Sequence, residues 1–376
     1  MKKNLSDILT CGLFVGFLAV MLALFLVLPK PDFSQKEKRA LAPTPDTSVE
    51  AILSGEFGDQ AESYIADHIP GRDFFVGLAG YYDLLSGRQG TKDVLLAKGD
   101  RLVEKPNKPN DAAAIRNMSA INRFADTIGQ QVDLMLLPAA GYLVQDSILG
   151  THEPYTDDAI IEGIYAQAGS NVRPVDMVQT FEAVKDPGAL YYRTDHHWTS
   201  LGAYTACSAY MGLLGRDYLA PEEFAVERHG GFYGSTHSRA GLWLVPGEPV
   251  ELWDSGKQFT VTAHQNAADT QGTAHDGLFY RERLKELDKY TVYLGGNQPL
   301  VRIHNPEGEG RILVIRDSYA NCLGTFLAQS YAEVVLVDLR YYKSPVSELA
   351  KEGFDQVLVC YSLYNFLTDA NFPWLK

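Results

Sequence analysis

Asp195, His196, His197 and Trp198 stand side by side inside YYRTDHHWTSLGAY, the stretch from Tyr191 to Tyr204. A carboxylate two residues from an imidazole can orient that ring and stabilise its charged form, which is what a general base requires. If Asp195–Trp198 is extended, side chains alternate faces, so Asp195 and His197 point one way. His196 then points the other way, towards a backbone carbonyl that would hold the strand. Thr199 and Ser200 signal the start of a helix. A base of this kind needs a nucleophile, and this stretch supplies none.

The best-placed hydroxyl is that of Ser318. RILVIR, Arg311–Arg316, reads as a buried strand, and it ends in Asp317-Ser318-Tyr319 before a helix expected from about Asn321. In open parallel sheets, ligands sit at the carboxyl ends of strands. On such a strand-to-helix turn, backbone N–H groups and the helix dipole favour a developing oxyanion. Taken alone, Asp317 and Ser318 read as helix caps. The Asp195/His197 pair turns the reading towards a Ser-His-Asp triad, because a serine needs a base and an oriented base needs a nucleophile.

The elements that must position these groups alternate. Helices are expected from Ala112 to Thr127, from about Asp157 to Gly169, from Ser200, from Asn321 to Tyr331 and near Val346–Glu352. Strands are expected at Val132–Pro138, Val172–Val175, Tyr290–Leu294, Arg311–Arg316, Val334–Leu339 and Gln356–Tyr361. Such alternation implies an α/β fold, a parallel sheet with helices on both faces. From Gly215 to about Lys289 it stops, and a Gly-, His- and aromatic-rich insertion is expected to lie over a site or cover an edge.

Before this region, Leu9–Leu28 is an uncharged apolar run, and twenty residues at helical rise span roughly 30 Å of bilayer. It reads as an uncleaved anchor at 9–29, between a cytoplasmic tail at 1–8 and a linker at 30–46, with the globular domain at 47–376. The rival is a signal peptide cleaved at Ala40-Leu41-Ala42, but that tripeptide lies well beyond the run, behind Lys36, Glu37, Lys38 and Arg39. Lys2 and Lys3 on one side and four basic residues on the other leave orientation undecided by charge. With 33 basic and 47 acidic residues the net charge is -14, which disfavours phosphate-backbone binding; no nucleic-acid partner is expected. Cys207, Cys322 and Cys360 read as buried thiols.

The tetrapeptide DHHW, the strand-borne RDSYAN and the preceding GGNQPLVRIHNP resemble the DHHW family, similar to the alginate O-acetyltransferases of the SGNH hydrolase superfamily. The resemblance takes in SQKEKRALAPTP, DHIPGRDFF, DVLLAKGDRLVEKP and DLRYY, most of the chain beyond the anchor. It implies an SGNH-hydrolase-like domain in which Ser318 is the nucleophile, His197 the base and Asp195 its orienter, with Asp and His preceding Ser. Arg316 stands where ordinary SGNH enzymes have the glycine of Gly-Asp-Ser. The superfamily's oxyanion donors correspond to Gly296 and Asn297, a stretch that reads equally as a loop needing positive φ. Asn321 is a second candidate donor. The resemblance also implies an extracytoplasmic domain and a membrane-bound O-acyltransferase partner that passes acetyl across the bilayer.

The expected activity is acetyl transfer to, or acetyl removal from, an exported or cell-wall polysaccharide, with no cofactor. Two other classes compete. Asp-His-His also resembles the metal-binding DHH phosphoesterases, but on a strand only one histidine could join Asp195, and His237, His264 or His304 would have to complete a ligand set. A noncatalytic scaffold of a polysaccharide-modifying envelope complex is the third class. Trp198 reads as core packing or as a sugar-stacking platform. Arg340 and Tyr341 end a strand on the edge that carries Ser318, where Arg340 is a substrate contact or a structural ion pair. His68 reads as a structural histidine.

Overall fold

The computed structural model describes residues 5–34 and 39–376. The first residues of the expected cytoplasmic tail, and Lys36, Glu37 and Lys38 of the linker, lie outside the described residues. By internal contacts the chain forms two compact units, one reaching Lys92 and including Ser238–Leu244, the other Asp93–His237 with Val245–Lys376.

The first unit begins with α1, Leu5–Val27. Its Ser6–Val27 segment has a mean hydropathy of 2.6 and none of it is buried, so it is long and apolar enough to cross a membrane. Three helices follow, α2 (Val49–Ser54), α3 (Glu56–His68) and α4 (Arg72–Leu85). Ser48 caps α2 by accepting the Ala51 N–H, and Gly55, at φ +86°, turns the chain into α3 where a side chain would be strained. Tyr64 of α3 meets Phe25 of α1 edge to face, at 6.1 Å between centroids. His68 Nδ1 lies 2.8 Å from the Tyr64 carbonyl oxygen, the structural placement expected of it.

In the second unit the order is β1 (Val94–Ala97), β2 (Arg101–Glu104), α5 (Asp111–Ile128), β3 (Val132–Leu137), α6 (Asp157–Tyr165), β4 (Val172–Val175), α7 (Met177–Glu182) and α8 (Ser200–Leu213). There follow β5 (Ala225–Phe232), β6 (Glu248–Asp254), β7 (Thr260–His264), β8 (Thr273–Asp276), β9 (Leu300–His304) and β10 (Arg311–Arg316). The last elements are α9 (Ala320–Leu327), β11 (Glu333–Asp338), α10 (Val346–Ala350), β12 (Gln356–Ser362) and α11 (Leu363–Thr368).

One eight-stranded sheet organises this unit, in the order β8-β7-β9-β11-β10-β12-β3-β4. The pairs from β11 to β4 are parallel. Those from β8 to β11 are antiparallel, so the sheet is mostly parallel rather than parallel throughout. The expected insertion contributes β7 and β8 to one edge and leaves β5 and β6 as a separate hairpin. In β10, Ile312 and Val314 join one buried core while Leu313 and Ile315 join the other. Both faces of a strand this apolar must be covered, which is why it sits mid-sheet.

The strand expected at Tyr290–Leu294 is instead a 3-10 turn over Lys289–Val292. Leu294, Gly295 and Gly296 all have positive φ, a backbone no strand can continue, and the strand forms after it, at β9. Because β9 runs against β11, the loop before β9 lies at the carboxyl edge of the parallel strands, where Asp338 N–H donates to the Pro299 oxygen at 3.1 Å.

Candidate active site

The segment carrying Asp195 is an irregular hairpin, not an extended strand. Tyr191 bridges Trp198, the Tyr192 N–H donates to His197 O at 3.1 Å, and the Thr199 N–H to Leu190 O at 2.8 Å. Arg193 to His196 therefore form the tip, and alternation of faces no longer applies. His196 is not turned away: its ring lies 3.9 Å from that of His197 and its Nδ1 is 3.6 Å from Asp195 Oδ1. Thr199 caps α8 by accepting the Gly202 N–H, and Gly202 is needed because a Cβ there would sit 2.2 Å from Leu190 O.

Asp195 Oδ1 accepts two donors, the His197 N–H at 2.9 Å and its Nδ1–H at 2.5 Å. The His197 Nε2 then offers its lone pair to the Ser318 hydroxyl, 2.7 Å away across 121 residues of chain. Ser318, at the carboxyl end of β10, thus binds the imidazole instead of capping α9. No side chain caps α9: Asp317 Oδ1 takes the Tyr319 N–H in the turn before it, while Oδ2 takes the N–H and hydroxyl of Ser362 and the Asn365 amide. That fastens the serine turn to the end of β12.

Several residues that hold this cluster carry no sequence signal of their own. The Ser235 N–H donates to Asp195 Oδ2 at 2.6 Å, and Gly234 precedes it because a Cβ there would lie 2.2 Å from Asp195 Cβ. Buried Glu248 receives the N–H groups of Arg193 and Thr194 and the Thr194 hydroxyl, which anchors the hairpin tip. Arg101, in β2, donates to the carbonyls of Gly188, Tyr191 and Tyr192. Tyr290 stacks on His197 at 3.9 Å and 12°, so two rings restrain the imidazole. Burial holds the Tyr290 phenol well above its usual pKa; it stays protonated and donates to Tyr319 O. The Tyr319 hydroxyl in turn donates to His196 O. The insertion therefore supplies supports for the cluster as well as an edge of the sheet.

The remaining candidates divide. Trp198 is wholly buried, with Nε1–H on Tyr319 O at 3.0 Å, so it is core packing and no sugar can stack on it. Gly296, at φ +90°, spends its N–H on Tyr293 O, and its backbone makes a turn rather than an oxyanion donor. Asn297 is exposed, and its Oδ1 accepts from both Arg316 Nη1 at 3.4 Å and Asn321 Nδ2 at 3.2 Å. With two donors on the oxygen, the Asn297 NH2 faces the other way and has no hydrogen-bond acceptor among the described residues. Asn321 is buried with its Oδ1 unpartnered among the described residues. Arg316 is wholly buried beside Asp338 at 3.5 Å, and burial pushes its guanidinium below the usual pKa, against the pull of Asp338. Arg340 pairs with Asp338 at 2.6 Å, the ion-pair alternative, while Tyr341 is half exposed.

Asp195, His196 and His197 also place a ligand atom each within 4.8 Å of one another. The strand argument admitted one histidine beside Asp195; the hairpin puts both there. Three of the ring nitrogens are engaged within the protein, His196 Nδ1 with Ser235 Oγ and His197 Nδ1 and Nε2 with Asp195 and Ser318. Cys207, Cys322 and Cys360 are buried and unpaired with one another.

Asp157 is wholly buried, accepting from the Ala139 N–H and the Asn107 amide while its Oδ1 has no partner among the described residues. Burial raises its pKa from 3.8 to about 6. An acid whose folded pKa is raised favours the fold when neutral, so stability is full below about pH 4 and falls as pH rises towards 6. Asp157→Asn is expected to be more stable than wild type by about 2 kcal/mol at neutral pH, with the difference vanishing near pH 4. Urea unfolding at both pH values checks this; an unchanged difference would place the cost elsewhere.

A family model described as DHHW protein matches residues 111–337. The probable alginate O-acetylase AlgJ of Pseudomonas putida is 27% identical over 188 residues, 47% of this chain and 49% of that protein. The chain spans about half the length of the curated relatives it matches. Among solved structures, a DHHW family protein from Eubacterium siraeum superposes with a TM-score of 0.64 at 22% identity, over 75% of this chain and 93% of that one. Bacillus cereus PatB1, in a structure with a sulfonyl adduct, gives 0.63 at 22% identity, over 75% and 98%. These likenesses show a shared α/β fold.

Proposed function

The chain belongs to the DHHW family, and from that footing we propose that it is a membrane-anchored, extracytoplasmic O-acetyltransferase with an SGNH-like domain, acting on an exported polysaccharide. The observation that carries the reading is the unbroken hydrogen-bond order from Asp195 through His197 to Ser318. The names of the Pseudomonas relatives, probable alginate O-acetylases, supply the acyl group and the substrate class. The apolar helix α1 supplies the anchor, and acetyl reaching an extracytoplasmic site calls for a membrane-bound O-acyltransferase as partner.

Ser318 Oγ attacks the acetyl carbonyl while its proton passes to His197 Nε2, and Asp195 stabilises the imidazolium that forms. The Asn297 amide donates to the carbonyl oxygen as it becomes an oxyanion. When the donor's leaving group departs with the proton, an acetyl-serine remains. A sugar hydroxyl then gives its proton to the same nitrogen as its oxygen bonds the acyl carbon, and the proton returns to Ser318 as the ester breaks. Transfer outruns hydrolysis only where the sugar is positioned and water is kept out.

A sulfonyl fluoride tests the nucleophile. It is expected to abolish acetyl release from a chromogenic ester by the full chain in detergent, adding its mass to the peptide that contains Ser318. Ser318→Ala should remain unlabelled. Label elsewhere, or equal esterase rates in wild type and Ser318→Ala, would sink the assignment.

A further inference from the structure

The first unit carries an apolar surface that acyl transfer does not use. On α4, Phe74, Phe75, Leu78, Tyr82 and Leu85 are all exposed, and at 3.6 residues per turn they share one arc of about 100°. The helix's charged side chains, Arg72, Asp73 and Asp83, fall outside that arc. Its packed side holds Gly77 and Gly80, both buried. A Cβ on Gly77 would lie 2.0 Å from the Trp243 ring, so only glycine lets that indole close on the helix. Trp243 stacks on Phe74 at 5.4 Å and 19° and meets Tyr81 edge to face at 4.9 Å. The Leu244 N–H donates to the Tyr81 hydroxyl at 2.7 Å, which fixes a leucine side chain that is 73% exposed. A contiguous apolar surface held this firmly marks a contact with a protein or a membrane.

The anchor indicates which of the two covers it. Just beyond α1, Lys30 Nζ donates to the carbonyls of Phe25 and Leu28 and sits 4.3 Å over the Phe25 ring, the posture of a cation at the edge of a hydrocarbon layer. Tyr64 of α3 packs on the same Phe25. His68 Nε2 lies 3.3 Å from the Pro31 oxygen, and Asp67 accepts the Ala42 N–H at 2.9 Å. The carboxyl end of α3 is thus tied to the level at which α1 leaves the bilayer. Gly71, at φ +71°, turns the chain there, and α4 starts at once, so that Arg72 Nε still reaches the Ala66 oxygen at 3.1 Å. An aromatic and aliphatic helix face beginning at this level meets lipid headgroups, and with no cation on its arc it enters by apolar area rather than by attraction to anionic lipid.

Resting on α1 as the membrane anchor, we propose that α4, with Trp243 and Leu244, is a second membrane contact, its apolar face lying in the headgroup and upper acyl layer of the bilayer that α1 crosses. The first unit then holds the membrane at two places, by a span and by a surface helix.

Tryptophan quenching tests this, since α1 contains no tryptophan. The full chain is reconstituted in phosphatidylcholine vesicles, and the Trp243 emission is taken as the difference between wild type and Trp243→Phe. Lipid brominated near the glycerol end of its acyl chains should lower that emission at least about twofold, and more than lipid brominated near the methyl end. Leu78→Glu together with Leu85→Glu, both at exposed positions, should remove most of the quenching, with thermal unfolding showing that the variant is folded. Trp243 left unquenched in chain that resists alkaline carbonate extraction, or quenching indifferent to the two glutamates, would overturn the proposal. Trp243 shielded from brominated lipid and from aqueous acrylamide alike would also overturn it and give the face to a protein surface. Chain released by carbonate would instead remove α1 as the anchor, and this contact with it, a failure distinct from that of the Ser318-dependent esterase test.

Discussion

Ser318→Ala is expected to lower acetyl release from a chromogenic ester by about 10⁴-fold, and His197→Ala by a similar factor, with the double variant no worse than either single one. The reason is that the hydroxyl and the imidazole act as one unit: at 2.7 Å, removing either partner leaves the other without a role in the step. Thermal unfolding should move little for Ser318→Ala, which deletes one oxygen from a residue 8% exposed. Single-turnover rates for the three proteins, beside wild type, make the comparison. Additive losses would mean that the two groups act separately. A chelator is expected to leave the wild-type rate unchanged; loss of rate on chelation, with Ser318→Ala still active, would instead assign Asp195, His196 and His197 to a metal ion.

Asn297→Ala should cost about 10² to 10³ in kcat with little change in KM, because an oxyanion donor acts chiefly when charge develops. Asn297→Asp is the sharper variant. It keeps the shape and the oxygen that Arg316 and Asn321 hold, but replaces the donating NH2 by an acceptor, and should lose at least as much. Steady-state kinetics of both variants separate this role from a turn-forming one, which Asp would fill as well as Asn. Near-wild-type kcat in Asn297→Asp would remove the residue from the oxyanion site. On this proposal Arg316, whose Nη1 lies 3.4 Å from the Asn297 oxygen, is the group that orients the amide.

Much of the fold was legible because its signals are local. The buried strands β3, β10, β11 and β12 are runs of apolar residues whose length fixes them as strands, and α5 shows helical spacing closed by Gly129, which adopts φ +64°. The apolar segment of α1 needs only its length and lack of charge. Tyr290–Leu294 misled because its residues suit a strand while Gly295 and Gly296 demand a turn. The DHHW stretch misled in a finer way: alternation of faces holds only for extended backbone, and nothing in the tetrapeptide announces that Leu190 and Thr199 close a hairpin around it.

By itself, the sequence determined which groups were available: an imidazole with a carboxylate two residues away, a serine ending a buried strand, an apolar helix ahead of them and the family to which they belong. Residue type and short spacing carry that information, since they act within a few bonds. Only the tertiary structure decided how those groups meet. It brought Ser318 to His197, set His196 beside the imidazole and stacked Tyr290 on it, drew Ser235 and Glu248 from the insertion to hold the hairpin, and by reversing β9 carried Asn297 to the strand edge. These contacts join residues far apart in the chain, and strand order and direction, which fix them, depend on which surfaces bury one another rather than on any local pattern.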